Sequence, residues 1–147
     1  MLFRKTSMLA VTAILATGMA GVIAQEAFTP PATPQDAVAM RQNVMKQNGG
    51  ILRSAMRLSG PEAVAAMQTV LDNYTHMPAL FPEGSEGGDA LPAIWQNWEG
   101  FTAIIETGRA GAEAAVAAAE AGDTAGYNSG LQTVMATCNQ CHQQFRS

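Results

Sequence analysis

The chain of 147 residues has the length of one domain, and with 48% apolar and 14% charged residues it has a core to bury and is not a disordered chain. Its net charge of −4 argues against a nucleic-acid partner, because phosphate binding needs a Lys/Arg excess. Two cysteines are too few for a disulfide-dense scaffold or a four-cysteine zinc site.

Residues 1–24 read as a cleaved export signal. Arg4 and Lys5 form a basic start, Met8 to Ala16 is apolar except for Thr12, and Val22-Ile23-Ala24 offers small residues for cleavage before Gln25. A membrane anchor is the competing reading. The run is short for a bilayer, which takes about 20 apolar residues, and Gly, Thr and Ser interrupt it. The mature domain, 25–147, keeps 6 basic and 12 acidic residues, a net charge of −6. It is expected to be soluble and exported, with no membrane partner.

After a Pro-containing arm, Thr33-Pro34-Gln35-Asp36 predicts a helix start, with Thr33 as the cap and Pro34 in the first helical position. Val38, Arg41, Met45, Leu52 and Met56 follow at mostly helical spacing, and Gly49-Gly50 is expected to bend this first helix. Ser59-Gly60-Pro61 ends it and opens a second helix, whose stripe is Val64, Met67, Leu71 and Tyr74 and whose stop is Pro78. Phe81 to Leu91 holds three glycines and reads as a functional loop. Pro92 predicts the start of a third helix, with Ile94, Trp98, Phe101, Ile105, Ala112, Ala115 and Ala119 facing inward. Gly122-Asp123-Thr124 turns into a fourth, carrying Tyr127, Leu131, Val134, Cys138, Cys141 and Phe145 on one stripe. No segment alternates with period two. The fold class is therefore all-α, an antiparallel four-helix bundle.

Chemistry concentrates in Cys138-Asn139-Gln140-Cys141-His142, a C-x-x-C-H sequence of the kind that attaches haem c. Residues three apart share a helix face, so both thiols reach the two vinyl groups on one porphyrin edge. His142 then projects beneath the ring as the proximal iron ligand. Three other readings compete. A thioredoxin-like pair follows a strand at a helix N-terminus, whereas this pair sits near the C-terminal end of the last helix. A zinc site would need His76 as a fourth ligand. A structural coincidence is the third.

With that motif at the end of the last helix, and the stretches Asp36 to Lys46 and Gly84 to Trp95 upstream, the sequence resembles the cytochrome c′ family from Pro34 to Arg146. The resemblance implies one haem c per chain, covalently bound through Cys138 and Cys141, with high-spin, five-coordinate iron on His142. It also implies that Met45 closes the sixth side, with Phe81 as a second wall of the distal pocket. Arg41 pairs with a haem propionate, Gln42 and Asp89 lie along the haem edge, and Arg146 is the basic residue near the axial His. Arg41 and Met45 stand four apart, so one helix face presents both. Phe145 replaces the Tyr of many relatives and Leu91 a basic residue of some, which alters hydrogen bonding at the haem rim.

Two functions share such a scaffold. If Met45 only covers the ring, nitric oxide and carbon monoxide can bind, and the protein is a gas-binding haem protein with a possible electron-transfer role. If Met45 sulfur reaches iron, the haem is low-spin with His/Met ligation, and the protein is an electron carrier. Arg41 and the Gly-Ser-Glu-Gly-Gly-Asp loop favour the first. His76, at the end of the second helix, is read as a solvated helix-end residue rather than a ligand. No enzyme is expected. The resemblance further implies a homodimer through the first two helices, with Ile51 and Val70 as interface or core candidates. The expected location is the periplasm, and the redox partner is unknown.

Overall fold

The computed structural model describes residues 28–147, so the expected export signal lies outside the described residues. Four long helices form an antiparallel bundle: α1 (Pro34–Ala55), α2 (Gly60–His76), α4 (Trp98–Glu120) and α5 (Thr124–Phe145). A 3-10 turn, Met77–Leu80, follows α2, and a single-turn helix α3, Ala93–Gln96, precedes α4.

The expected caps are present at two starts. The Thr33 hydroxyl accepts from the Asp36 N–H at 3.1 Å and donates to the Asp36 carboxylate at 2.7 Å, and Pro34 opens α1. The Asp123 carboxylate accepts from the Gly126 N–H at 3.0 Å and caps α5. Helix α1 runs unbroken through Gly49-Gly50 to Ala55.

The third helix differs from its expected course. Asn97 interrupts it at φ −130° and ψ 56°, and its side chain accepts from the Gly100 N–H at 3.2 Å. A short amide side chain competes with the helical backbone and caps the new start. The break turns Trp98 outward to 40% exposure, where an inward position was expected. Met56, at the end of the α1 stripe, is also exposed.

The core lies between α2, α4 and α5, where Met67, Val70, Phe101, Leu131 and Val134 are fully buried. Val70 is therefore a core residue, and Ile51 is half-buried. Helices α4 and α5 cross closely because both present glycine: a Cβ on Gly130 would lie 2.7 Å from the Gly111 carbonyl oxygen. Helix α1 packs on α2 and scarcely meets α5. The room left between α1 and α5 is where the cavities described next open.

Candidate functional site

Two adjoining cavities, of about 470 and 320 Å³, open beside the α5 cysteines. Met45 from α1 and Cys141 and His142 from α5 line both. Eight of the nine expected site residues, Arg41, Gln42, Met45, Phe81, Asp89, Cys141, His142 and Arg146, line the larger one. Cys138 lines the smaller.

Arg41 has only 4% of its surface exposed, and its guanidinium is engaged with the Phe81–Leu91 loop. Nη1 donates to the Ser85 hydroxyl at 3.1 Å and the Leu80 carbonyl at 3.4 Å. Nη2 donates to the carbonyls of Ser85 at 2.7 Å and Gly87 at 2.8 Å. The Phe81 ring lies beneath, 4.9 Å from the guanidinium carbon. Arg41 thus organises the Phe81–Leu91 loop, and of its five N–H donors only the one on Nε is uncommitted among the described residues. All four acceptors are neutral. Burial pulls the pKa of Arg41 below its ordinary value, and the charge of Glu86 opposes that shift. A buried cation without an anion at hydrogen-bonding distance is costly, so this end of the cavity suits a carboxylate.

Asp89, expected along the haem edge, and Arg146, expected near the axial His, pair with each other at 3.2 Å in the lining of the larger cavity. The pair is solvent-exposed and contributes little by itself. Backbone bonds reinforce it, from Leu91 N–H to the Phe145 carbonyl and from Ser147 N–H to the Asp89 carbonyl, both at 3.0 Å. The C-terminus is thereby stitched to the loop.

His142 is half-buried. Burial lowers its pKa, and the charge of Arg146 lowers it further, so the imidazole is neutral near pH 7, the form that ligates iron. The Cys141 thiol is pushed up to about 11, first by burial and then by Cys138. A thioredoxin-like pair needs the opposite shift, and zinc binding needs a thiolate. His76, the fourth ligand of the zinc reading, lines neither cavity. Its ring stacks on Phe28 at 4.1 Å.

The residues present fit a haem. Met45, Phe81, Ile94 and Phe101 supply apolar walls, two thiols three residues apart stand at one side, and Arg41, Lys46 and Arg146 supply cations elsewhere on the rim. The joined volume falls within the usual range for a ligand site, roughly 300–1,000 Å³. Sequence reasoning missed Lys46, Tyr74, Met77 and Thr137. Lys46 had a usable signal, standing one turn beyond Gln42. The stripe that marked Tyr74 as core said nothing of its distance to Cys138.

A profile of the family described as cytochrome C′ matches residues 33–146. Cytochrome c-556 of Agrobacterium tumefaciens (strain II Chrys) is 38% identical over 118 residues, covering 74% of this chain and 95% of the relative. Cytochrome c′ of Alcaligenes xylosoxydans xylosoxydans is 31% identical over 122 residues, covering 78% and 96%. Among solved structures, a nitric oxide complex of a mutant of cytochrome c prime from Alcaligenes xylosoxidans matches with a TM-score of 0.72 at 26% identity. The match covers 79% of this chain and 98% of that one.

Proposed function

The chain belongs to the cytochrome c′ family, with haem c bound covalently through Cys138 and Cys141, and from that premise we propose that it is a periplasmic receptor for nitric oxide and carbon monoxide. Bound haem would supply an iron able to hold an imidazole and a small diatomic. His142 would hold that iron through its neutral imidazole. Met45 and Phe81 would give the gas an apolar lid that admits a small uncharged molecule and turns anions away. Neither side chain carries a hydrogen-bond donor, which favours nitric oxide and carbon monoxide over dioxygen. Gln42 and Asp89 would line the edge of a bound ring, and the one free Arg41 donor would be available to a propionate. Arg146, held by Asp89, keeps a positive charge beside His142.

The observation that carries this reading is that Met45 and His142, from different helices, line the same two cavities. The likeness to a cytochrome c prime solved with nitric oxide supports it. The role is sequestration or transport with a possible electron-transfer function, not catalysis. Residues 1–24 direct export and are removed, leaving the 25–147 domain. No described helix is long and apolar enough to cross a membrane. Two copies pair through α1 and α2.

Absorption spectra of the ferric and ferrous holoprotein, with and without carbon monoxide, test the proposal. Broad high-spin bands and a carbon monoxide response are expected. Sharp split low-spin bands with no response would overturn it in favour of a second reading, electron transfer with Met45 sulfur on iron. The placement of Met45 in both cavities with His142 suits that reading too.

A further inference from the structure

Tyr74 is the polar residue of α2 that reaches the attachment segment. Its hydroxyl lies 3.4 Å from Cys138 Sγ and 3.1 Å from Thr137 Oγ1. The ring is 5% exposed, and its slot is cut into α4 at Gly108. A Cβ there would run into the Tyr74 ring and stand 2.8 Å from Thr137 Oγ1. The close approach is therefore built by two helices around one phenol, not left by loose packing.

The protons in this chain can be assigned. Thr137 donates its single hydroxyl proton to the Val134 carbonyl at 2.8 Å. Its oxygen can then only accept, and the donor is Tyr74. While Cys138 is a thiol, its S–H can donate to the Tyr74 oxygen and every group is satisfied. A thioether sulfur has no proton. Once Cys138 is joined to haem, the phenol O–H is the one donor shared by two acceptors, Thr137 Oγ1 and Cys138 Sγ.

We propose that Tyr74 is a positioning residue for the haem, donating its hydroxyl to the Cys138 thioether sulfur and so fixing that edge of the ring against α2 and favouring the ferrous state. A donor on the sulfur withdraws electron density from the attached ring, and hydrogen bonding around a haem is one of the levers on its potential. Thr137 competes for the same proton and weakens the effect. This role rests on haem attachment and not on gas binding, so it stands or falls independently of the occupant of the sixth position.

The test uses holoprotein variants poised at one fixed potential, with the ferrous-to-ferric ratio read from absorbance. Tyr74→Phe keeps the ring and removes the donor, and is expected to lower the ratio about two- to threefold, as fits a weak bond to sulfur. Thr137→Val removes only the competitor and is expected to raise it. The double variant is expected to match Tyr74→Phe, since Thr137 acts solely through the phenol. A purely structural pair would lower stability in both single variants and move neither ratio. An unchanged ratio in Tyr74→Phe, or a Thr137→Val shift in the same direction as Tyr74→Phe, overturns the proposal.

Discussion

Arg41 and Ser85, 44 residues apart in the chain, meet twice: the guanidinium donates to the Ser85 hydroxyl at 3.1 Å and to its carbonyl at 2.7 Å. Ser85 is itself fully buried and donates its proton to the Pro82 carbonyl at 2.7 Å. The loop that walls the site is therefore held from inside by α1, independently of anything bound beside it.

Removing that hold has a graded cost. Arg41→Gln strands the Ser85 carbonyl and leaves the Gly87 carbonyl only its 3.3 Å bond from the Ala90 N–H, and is expected to lower unfolding free energy by about 2–3 kcal/mol, the scale for charge-assisted hydrogen bonds. Ser85→Ala loses the hydroxyl as acceptor from Arg41 and as donor to the Pro82 carbonyl, and is expected to cost about 1–2 kcal/mol. Arg41→Lys keeps the charge but cannot fork to several carbonyls, so it should fall between. Denaturant unfolding of the three holoproteins measures the order. Equal stability of Arg41→Gln and the native chain would mean that the loop does not depend on Arg41.

The glycines divide into two classes by what surrounds them. Gly130→Ala places a methyl 2.7 Å from the Gly111 carbonyl oxygen and 2.8 Å from the Ala115 Cβ, so α4 and α5 must part. A loss of about 1–3 kcal/mol is expected. At Gly50, which lines neither cavity, the nearest atom, Arg53 Nη2, is 3.8 Å away, at the tip of a flexible side chain. Gly50→Ala should stabilise α1 by about 0.5–1 kcal/mol. Thermal melts of the two variants should shift in opposite directions.

Much of this was legible from local pattern. The four long helices, the Thr33 cap and the Cys138–His142 spacing each depend on residues within one or two turns, and each is found near where spacing places it, although Met56 and Trp98 on the expected stripes are exposed. The break at Asn97 was not legible, because Pro92 to Phe101 keeps helical periodicity across it and one amide cap outweighs that pattern. The hold of Arg41 on the loop was not legible for a different reason. Its acceptors are backbone carbonyls of a distant loop, and sequence patterns carry no signal for a carbonyl. Tyr74 meets two side chains, but they lie 63 and 64 residues on, a separation that no local pattern spans.

The Tyr74 phenol also sets an alkaline limit. Its pKa is raised well beyond the ordinary tyrosine value, by burial first and then by the Cys138 thiol, and burial persists once Cys138 is a thioether. An unfolded tyrosine ionises near pH 10, so above that pH the folded chain holds a proton that the unfolded chain releases. The associated stability is present below the unfolded pKa and is lost as pH rises through the folded one. Thermal midpoints should therefore drop as pH climbs past about 10, and drop less in Tyr74→Phe. The same alkaline slope in both proteins would assign the loss to other groups.

Met45 decides between the two readings of the site, because it shares both cavities with His142. As a lid, its sulfur is replaceable: Met45→Leu keeps volume and should leave the ferrous and ferric spectra unchanged. Met45→Ala should open the lid and speed carbon monoxide association about tenfold, the factor set by about 1.4 kcal/mol of barrier. As an iron ligand, the sulfur is irreplaceable, and Met45→Leu would convert sharp low-spin bands to broad high-spin ones. Leucine matches methionine in bulk and lacks only the donor atom, so a spectral change in that variant can come from the lost sulfur and not from a lost wall.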